Sequence, residues 1–286
     1  MESIVDVAIP VVTFLMMITV GHGLTTTELR RSATDVRALI TASVGQLVLL
    51  PLIATVIILV LHPTPAVVAG LVLVAASPAG TISNFYAYLA RANLALSVTL
   101  TALSCLLSIV TIPTLVAAGF FFWLEDQPDI EVPITVLTVQ LVALVALPIL
   151  IGMALRRWRP AATEIRDLWL RRVSLSMLLV LVIWITNDQW QAISVSFGAI
   201  AVASIIFTIL AAAAGYALAW ATGRPAADRL TYLIEFPCRN LALALMVAFT
   251  GLDRPEFAAF ATVLFLTQAL VMLSVVAFSR SLHDQT

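Results

Sequence analysis

Charged residues are scarce in this sequence and make up only 11% of its 286 residues, whereas soluble domains average about 25%. Lysine is absent, and the fifteen basic residues are arginines scattered between apolar segments, so no basic patch for nucleic acid forms. The two cysteines and three histidines predict neither a disulfide framework nor a metal cluster. These shortages argue against soluble and nucleic-acid-binding classes.

Apolar residues dominate the composition, since 62% of the chain is hydrophobic and its mean hydropathy is +1.07. A helix needs roughly 20 mainly apolar residues to cross a bilayer. The sequence therefore predicts an all-α polytopic membrane protein in the lipid bilayer, with one domain, nine transmembrane helices and no indication of oligomeric state. The predicted helices lie at 4–22, 36–61, 66–90, 94–122, 132–155, 169–187, 192–221, 228–251 and 256–279.

The arginines orient these nine crossings. Thirteen of them fall in loops on one side, whereas Arg254 lies alone on the other side and Arg239 lies within an apolar window. Cytoplasmic loops carry the excess of basic residues in membrane proteins. This asymmetry, with an acidic linker at 125–131 on the opposite side, predicts a multi-pass protein of the cell (inner) membrane. Its N-terminus lies outside and its C-terminus is cytoplasmic.

Two short polar stretches, 77–84 and 235–240, interrupt the third and eighth apolar windows, and each contains a proline. Irregular backbone at membrane depth is tolerated only where it is buried in protein or lines a cavity. A matched pair of breaks, in helices that cross in opposite senses, is typical of an inverted-topology repeat with a binding site at the breaks. We expect two crossed, broken helices that meet.

Oxygen-bearing side chains follow the first break. Thr81, Ser83 and Asn84 belong to it, and Ser97, Thr101 and Ser104 share one face of the next helix because they are four and three residues apart. Free carbonyls at a broken helix, together with such oxygens, suit a hard cation. The alternative is that the small hydroxyls serve helix packing and bond to their own helical turns.

Glu235 and Arg239 are the strongest individual signals. A charge at the centre of a membrane helix costs roughly 2.5–3.5 kcal/mol on insertion scales. The alternative to a functional role is an ion pair at i, i+4, although Pro237 between the two argues against a regular helix. Gln46, in the second window, has the simpler interpretation of a hydrogen bond between helices.

The motifs resemble those of the bile acid:sodium symporter family. The run Ser-Pro-Ala-Gly-Thr-Ile-Ser-Asn at 77–84, followed by Leu-Ala-Arg-Ala-Asn at 89–93, is similar to that family's P-G-G-T-x-S-N and L-A-x-G-[ND]. The segment 235–240 is similar to its E-x-G-x-Q-N. The resemblance implies a core domain of helices two to four and seven to nine beside a panel of helices one, five and six.

The same resemblance implies the ligands. A second sodium site would use Gln46, Glu235 and the glutamine of E-x-G-x-Q-N, and an organic anion would bind near Thr81 and Asn240. The first sodium site would comprise Ser83, Asn84, Ser97, Thr101 and Glu235.

The chain departs from the family pattern at the second site, where Arg239 replaces the glutamine and Pro237 the glycine. Arginine has only donors and cannot ligate a cation. Our hypothesis is that the guanidinium occupies the place of the second sodium, bonded to Glu235 and Gln46. At most one coupling sodium would then remain.

These observations predict a secondary transporter that imports an organic anion, such as a bile-acid-like steroid acid or a small carboxylate, with Na⁺ as coupling ion. The alternative is a proton-coupled or uncoupled exporter or antiporter on the same crossed-helix fold, with Glu235 as the proton carrier. An enzyme is not expected, because an intramembrane hydrolase needs a nucleophile with a base or paired acids, and no histidine lies at membrane depth.

Overall fold

The computed structural model describes residues 2–23, 35–125, 131–158 and 163–283. The loop at 24–34 and most of the acidic linker at 125–131, both used to orient the chain from its charges, lie outside the described residues. The described part folds into eleven helices. These are α1 (Glu2–Gly23), α2 (Val36–Leu61), α3 (Pro65–Ala76), α4 (Ile82–Leu89), α5 (Leu94–Trp123), α6 (Ile134–Trp158), α7 (Thr163–Asp188), α8 (Trp190–Ala221), α9 (Ala226–Glu235), α10 (Leu241–Gly251) and α11 (Ala258–His283).

Five of these helices are long and apolar enough to cross a membrane, namely α2, α5, α6 and most of α8 and α11. Three shorter apolar helices accompany them, at Val7–Gly23, Pro65–Ala76 and Leu241–Gly251. The described chain is therefore a polytopic, helical membrane protein. Each predicted apolar window coincides with a helix or with two half-helices in sequence.

The two predicted breaks are present and interrupt the helices where the prolines and polar residues lie. Helix α3 ends at Ala76, and the next residue, Ser77, is extended with φ −66° and ψ 149°. Residues 236–240 separate α9 from α10 in the same way. Proline removes a backbone donor and clashes with the preceding turn, so neither stretch continues a regular helix.

The two breaks cross and hydrogen-bond to each other. Ala79 and Arg239 form an antiparallel bridge, in which Gly80 N–H donates to Cys238 C=O over 2.8 Å and Asn240 N–H donates to Pro78 C=O over 2.8 Å. Ser104 Oγ accepts from Ala79 N over 3.1 Å. The prediction that the unwound stretches meet is confirmed, and their backbone groups satisfy one another.

Gly80 permits this close approach. A Cβ atom at this position would lie 2.7 Å from the carbonyl oxygen of Arg239, closer than real Cβ contacts come. The obstacle is backbone, which cannot swing aside as a flexible side chain can. Glycine is therefore required here for steric reasons.

Packing surrounds the crossing with buried apolar side chains. Helix α1 packs against α6 and α7, whereas α8 packs against α2, α9 and α11. Helix α10 begins directly after the second break, and residues Leu241–Met246 are all buried. The crossing thus lies in the interior of the described structure.

We predict that Gly80→Ala lowers the free energy of unfolding by about 2 kcal/mol, because overpacking at a backbone contact costs 1–3 kcal/mol. Thermal unfolding of the purified protein in detergent measures this. Gly198→Ala is the matched control, since a Cβ at this glycine of α8 has no atom within 4 Å and alanine favours helix. Equal stability of the two variants would contradict the role assigned to Gly80.

Candidate functional site

The five residues of the predicted first cation site lie together beside the crossing. Glu235 Oε1 accepts hydrogen bonds from Ser83 Oγ, at 2.6 Å, and from Ser97 Oγ. Its other oxygen, Oε2, accepts from Thr101 Oγ1 over 3.3 Å. Asn84 completes the group, because its Oδ1 lies 2.8 Å from Ser97 Oγ and 3.4 Å from Thr101 Oγ1. All five side chains are buried.

Three separate helices supply these oxygens. Ser83 and Asn84 lie in the first turn of α4, Ser97 and Thr101 lie one turn apart on α5, and Glu235 is the last residue of α9. The breaks bring them together, since α4 begins where the first break ends and α9 ends where the second begins. The five residues hence share one site although 152 positions separate Ser83 from Glu235.

The cluster contains more acceptor contacts than hydroxyl protons. Ser83 Oγ lies within hydrogen-bond distance of both Gly80 C=O, at 2.8 Å, and Glu235 Oε1. Ser97 Oγ likewise lies near both Asn84 Oδ1 and Glu235 Oε1. Each hydroxyl carries a single proton, so it satisfies one acceptor and faces the other with lone pairs. A cation among these oxygens, or a proton on the carboxylate, removes that repulsion.

Arg239 points away from this cluster. Its Nη1 donates to Gln46 Oε1 over 3.0 Å and, more weakly, to Phe236 C=O over 3.5 Å, and its Nη2 donates to Ser77 C=O. The expected bond to Gln46 is therefore present. The expected bond to Glu235 was wrong, as no salt bridge found in the described part of the chain joins the two. The carboxylate and the guanidinium leave the crossing toward different helices.

Thr81 and Asn240, the predicted substrate contacts, belong to the crossing segments themselves. Thr81 precedes α4 and is half-buried, with no capping bond from its side chain. Asn240 is fully buried and caps α10 by accepting from Leu243 N over 3.2 Å, whereas its Nδ2 has no hydrogen-bond partner. The backbone of Asn240 lies against Gly80, the neighbour of Thr81.

A polar network at the starts of α2, α5 and α9 was missed from the sequence. Asn93 caps α5 by accepting from Leu96 N, and its Nδ2 donates to Asp228 Oδ1 over 2.8 Å. Arg224 joins Asp228, at 2.6 Å, to Asp35 at the start of α2. The acidic residues before apolar runs were the available signal, but nothing in their spacing pairs Asp35 with Arg224 across 189 positions.

This network controls the charge of Asp35. The hydrogen bonds from the Arg224 guanidinium are the main reason why the pKa of the Asp35 carboxyl lies below its ordinary value, and a bond from Ala38 N–H adds to them. The folded pKa is therefore lower than the unfolded pKa. Such a group stabilises the fold above its unfolded pKa, about 4, and the stabilisation is lost as the pH falls through the folded pKa.

We expect the free energy of unfolding of Asp35→Asn to fall less steeply than that of the original protein below about pH 4. At pH 7 we expect the substitution to lower the free energy of unfolding by about 0.5–1 kcal/mol. The effect is small because the Asp35 side chain is 43% exposed, and asparagine still caps the helix. Thermal unfolding across a pH series checks this, with Asp188→Asn, an exposed carboxylate that accepts only from Gln189, as control. An unchanged dependence of stability on pH in the acid range would contradict this prediction for Asp35→Asn.

Comparison with known proteins finds one matching family and two similar transporters. Residues 10–217 match the profile of the sodium bile acid symporter family, which includes the first break and ends before Glu235. The chain is 27% identical over 241 residues to a probable sodium/metabolite cotransporter, BASS1, of Arabidopsis thaliana chloroplasts, covering 84% of this chain and 59% of that protein. It is 32% identical over 148 residues to an uncharacterized sodium-dependent transporter, YocS, of Bacillus subtilis, covering 50% and 43%.

Both relatives are named as transporters and not as enzymes. The chain spans less than two thirds of the length of either relative. The family profile nonetheless covers most of this chain, and the resemblance seen in its motifs is confirmed. The chain belongs to the sodium bile acid symporter family.

Proposed function

We propose that this protein is a secondary transporter that crosses the cell (inner) membrane nine times and imports an organic anion together with sodium. Joining α3 to α4 and α9 to α10 turns the eleven helices into nine crossings. Helices α2–α5 and α8–α11 then form two inverted repeats, each with a broken member, and build the core. The panel comprises α1, α6 and α7, in which α1 packs against both α6 and α7. The arginine distribution puts the N-terminus outside.

The excess of hydrogen-bond acceptors around Glu235 is the observation that supports a sodium site there. The cluster has one carboxylate and four neutral side-chain oxygens, all of them hard ligands. A single negative charge suits a monovalent cation, whereas calcium sites in proteins use several carboxylates. Ser83, Asn84, Ser97, Thr101 and Glu235 would hold the sodium.

Sodium at this position links three helices. The proposed ligands come from α4, α5 and α9, and the cluster lies where the first break ends and the second begins. A bound cation therefore favours the arrangement in which these helices stay together. A ligand shifts a conformational equilibrium only through its differential affinity for the two states. Sodium would bind the state in which the three helices stay together more tightly, and its binding is thereby coupled to the conformation of the crossing.

The organic anion would bind beside the crossing, between core and panel. Thr81 is half-buried there. The side-chain amide nitrogen of Asn240 has no hydrogen-bond partner in the described part of the chain, so it can donate to a carboxylate. Asn240 is covered in this conformation. The anion would reach it only after the core and panel move apart. Steroid-like acids and small carboxylates are the proposed substrate class.

Arg239 limits the number of coupling ions to one sodium. Its guanidinium bonds Gln46 and two backbone carbonyls, Phe236 C=O and Ser77 C=O, which are the kinds of oxygen that a second sodium would use. A fixed positive charge at these oxygens excludes a mobile cation. The side chain thus serves as a permanent substitute for the second ion.

Proton coupling is the second candidate, and one observation favours it. Glu235 accepts only from hydroxyl groups and has no salt bridge to Arg239 in the described part of the chain. Among the described residues no positive side chain therefore pairs with the carboxylate, and only hydrogen bonds from hydroxyl groups favour its ionised form. A proton would relieve the acceptor excess as a sodium ion does, and the carrier would then respond to pH.

Transport into proteoliposomes separates these candidates. We expect uptake of a radiolabelled carboxylate or bile acid to require a sodium gradient, to vanish in Glu235→Gln, and to need about tenfold more sodium in Ser97→Ala. Hydrogen bonds to a charged group contribute about 1.5–3 kcal/mol, and 1.4 kcal/mol corresponds to tenfold. Ser108→Ala is the matched control, since this buried hydroxyl of α5 donates to Cys105 C=O of its own helix and bonds no other group among the described residues. Uptake driven by a proton gradient without sodium would support the second candidate instead.

Replacing the arginine should restore a second ion. In Arg239→Gln the side chain regains an acceptor, so we expect steeper dependence of transport or thermal stability on sodium, with a Hill coefficient that rises from about 1 toward 2. Arg254→Gln is the control for the loss of a positive charge, because Arg254 pairs with Glu256 away from the crossing. An unchanged sodium dependence in Arg239→Gln would count against the substitution hypothesis.

A further inference from the structure

A small cavity lies on the Arg239 side of the crossing, away from the proposed sodium. Its walls come from α2, from the first break and from α5, with Arg239 at one side. It measures about 20 Å³, which exceeds the roughly 10–15 Å³ that one water molecule needs. The lining residues used in the argument are Ser43, Gln46, Leu47, Ala76, Leu107 and Arg239.

Three polar atoms of this lining have no hydrogen-bond partner among the residues that the structure describes. They are Ser43 Oγ, Gln46 Nε2 and Arg239 Nε, and both Gln46 and Arg239 are more than nine-tenths buried. The orientation of the Gln46 amide is determined, because Arg239 is only a donor and must face Oε1. Its Nε2 is therefore left as a donor. Two obligatory donors and one hydroxyl thus belong to residues that line the cavity. An unpaired buried donor costs about 1–3 kcal/mol.

No carboxylate contacts Arg239 in the described part of the chain. The guanidinium contacts an amide oxygen and two carbonyl oxygens, and it forms no salt bridge in the part of the chain that is described. Buried charges are normally paired or bound to ions. Among the lining residues of the cavity, Arg239 is the only ionisable one. The cavity is consequently both donor-lined and positive.

We propose that this cavity binds a halide ion, chloride being the probe to use, held by Arg239, Gln46 and Ser43. The donors and the positive charge select an anion over a cation. The volume admits a single monatomic ion and excludes a carboxylic acid with its carbon skeleton. Leu47, Ala76 and Leu107 supply apolar walls that make dehydrated charge pairing stronger.

The halide would also act on the sodium site, and this step rests on the proposed function. Glu235 and Arg239 lie at the two ends of one break and together are neutral when both are ionised. Sodium beside Glu235 adds one positive charge, and a halide beside Arg239 compensates for it. Each ion is expected to tighten binding of the other, and by linkage the factor is the same in both directions.

Thermal unfolding of the purified full-length protein in detergent tests the site. The protein is compared in sodium chloride, sodium gluconate, choline chloride and choline gluconate at equal ionic strength. We expect chloride to raise Tm over gluconate by about 2–4 °C in choline, the shift for a ligand near five times its Kd, and by more in sodium. Equal Tm values in chloride and gluconate would overturn the proposal and leave a water molecule in the cavity.

Variants assign the shift to the cavity. Arg239→Gln should abolish the chloride shift, Ser43→Ala should weaken chloride affinity about five- to tenfold, and Arg254→Gln should leave it unchanged. Ser43→Ala keeps the test informative if Arg239→Gln does not fold. A chloride shift that persists in both cavity variants would refute the site.

The measurements in choline salts separate the proposal of a halide site from that of a sodium site. A chloride shift in choline supports the halide site whether or not sodium binds, and a sodium shift in gluconate supports the sodium site alone. Equal chloride shifts in choline and sodium would overturn the link between the ions.

Discussion

The structure depends on the pairing of two unwound backbone segments inside an apolar interior. Each break frees peptide groups that a helix would have satisfied, and such groups cost several kcal/mol where water is absent. The two breaks resolve this together, since Gly80 and Asn240 donate to carbonyls of the opposite segment. Neither break is stable alone. Gly80 makes the pairing possible because the opposing chain comes too close for a Cβ.

The same crossing separates two charges that are only four residues apart. In a continuous helix Glu235 and Arg239 would lie on one face. The break rotates them apart, so that the carboxylate meets the hydroxyls of α4 and α5 whereas the guanidinium meets Gln46 of α2. One unwound segment thereby builds an oxygen-rich pocket on one side and a donor-rich pocket on the other. The two sides of a single segment therefore differ in the kind of polar atom that they present.

Helices α5 and α9 are tied at two levels, which defines how the polar side chains around Glu235 face one another. At one level Ser97 bonds Glu235, and one turn earlier Asn93 bonds Asp228, which lies two turns before Glu235. Arg224 extends the connection to Asp35 and so to α2. The ends of α2, α5 and α9 are held by charge-assisted bonds, which are stronger than neutral ones. The side chains around Glu235 therefore rest on helices that are tied together and not on flexible loops.

The sequence by itself determined the helices and both breaks, and it predicted the five oxygen-bearing side chains that lie together beside the crossing. Long apolar windows identify the helices because the bilayer demands about 20 apolar residues, and proline with polar residues identifies the breaks. The direction of Arg239, the partnership of Asp35 with Arg224 and the donor-lined cavity were decided only by the tertiary structure. Residues 236–240 follow no helical period, so the direction of their side chains depends on how the opposite segment holds the backbone.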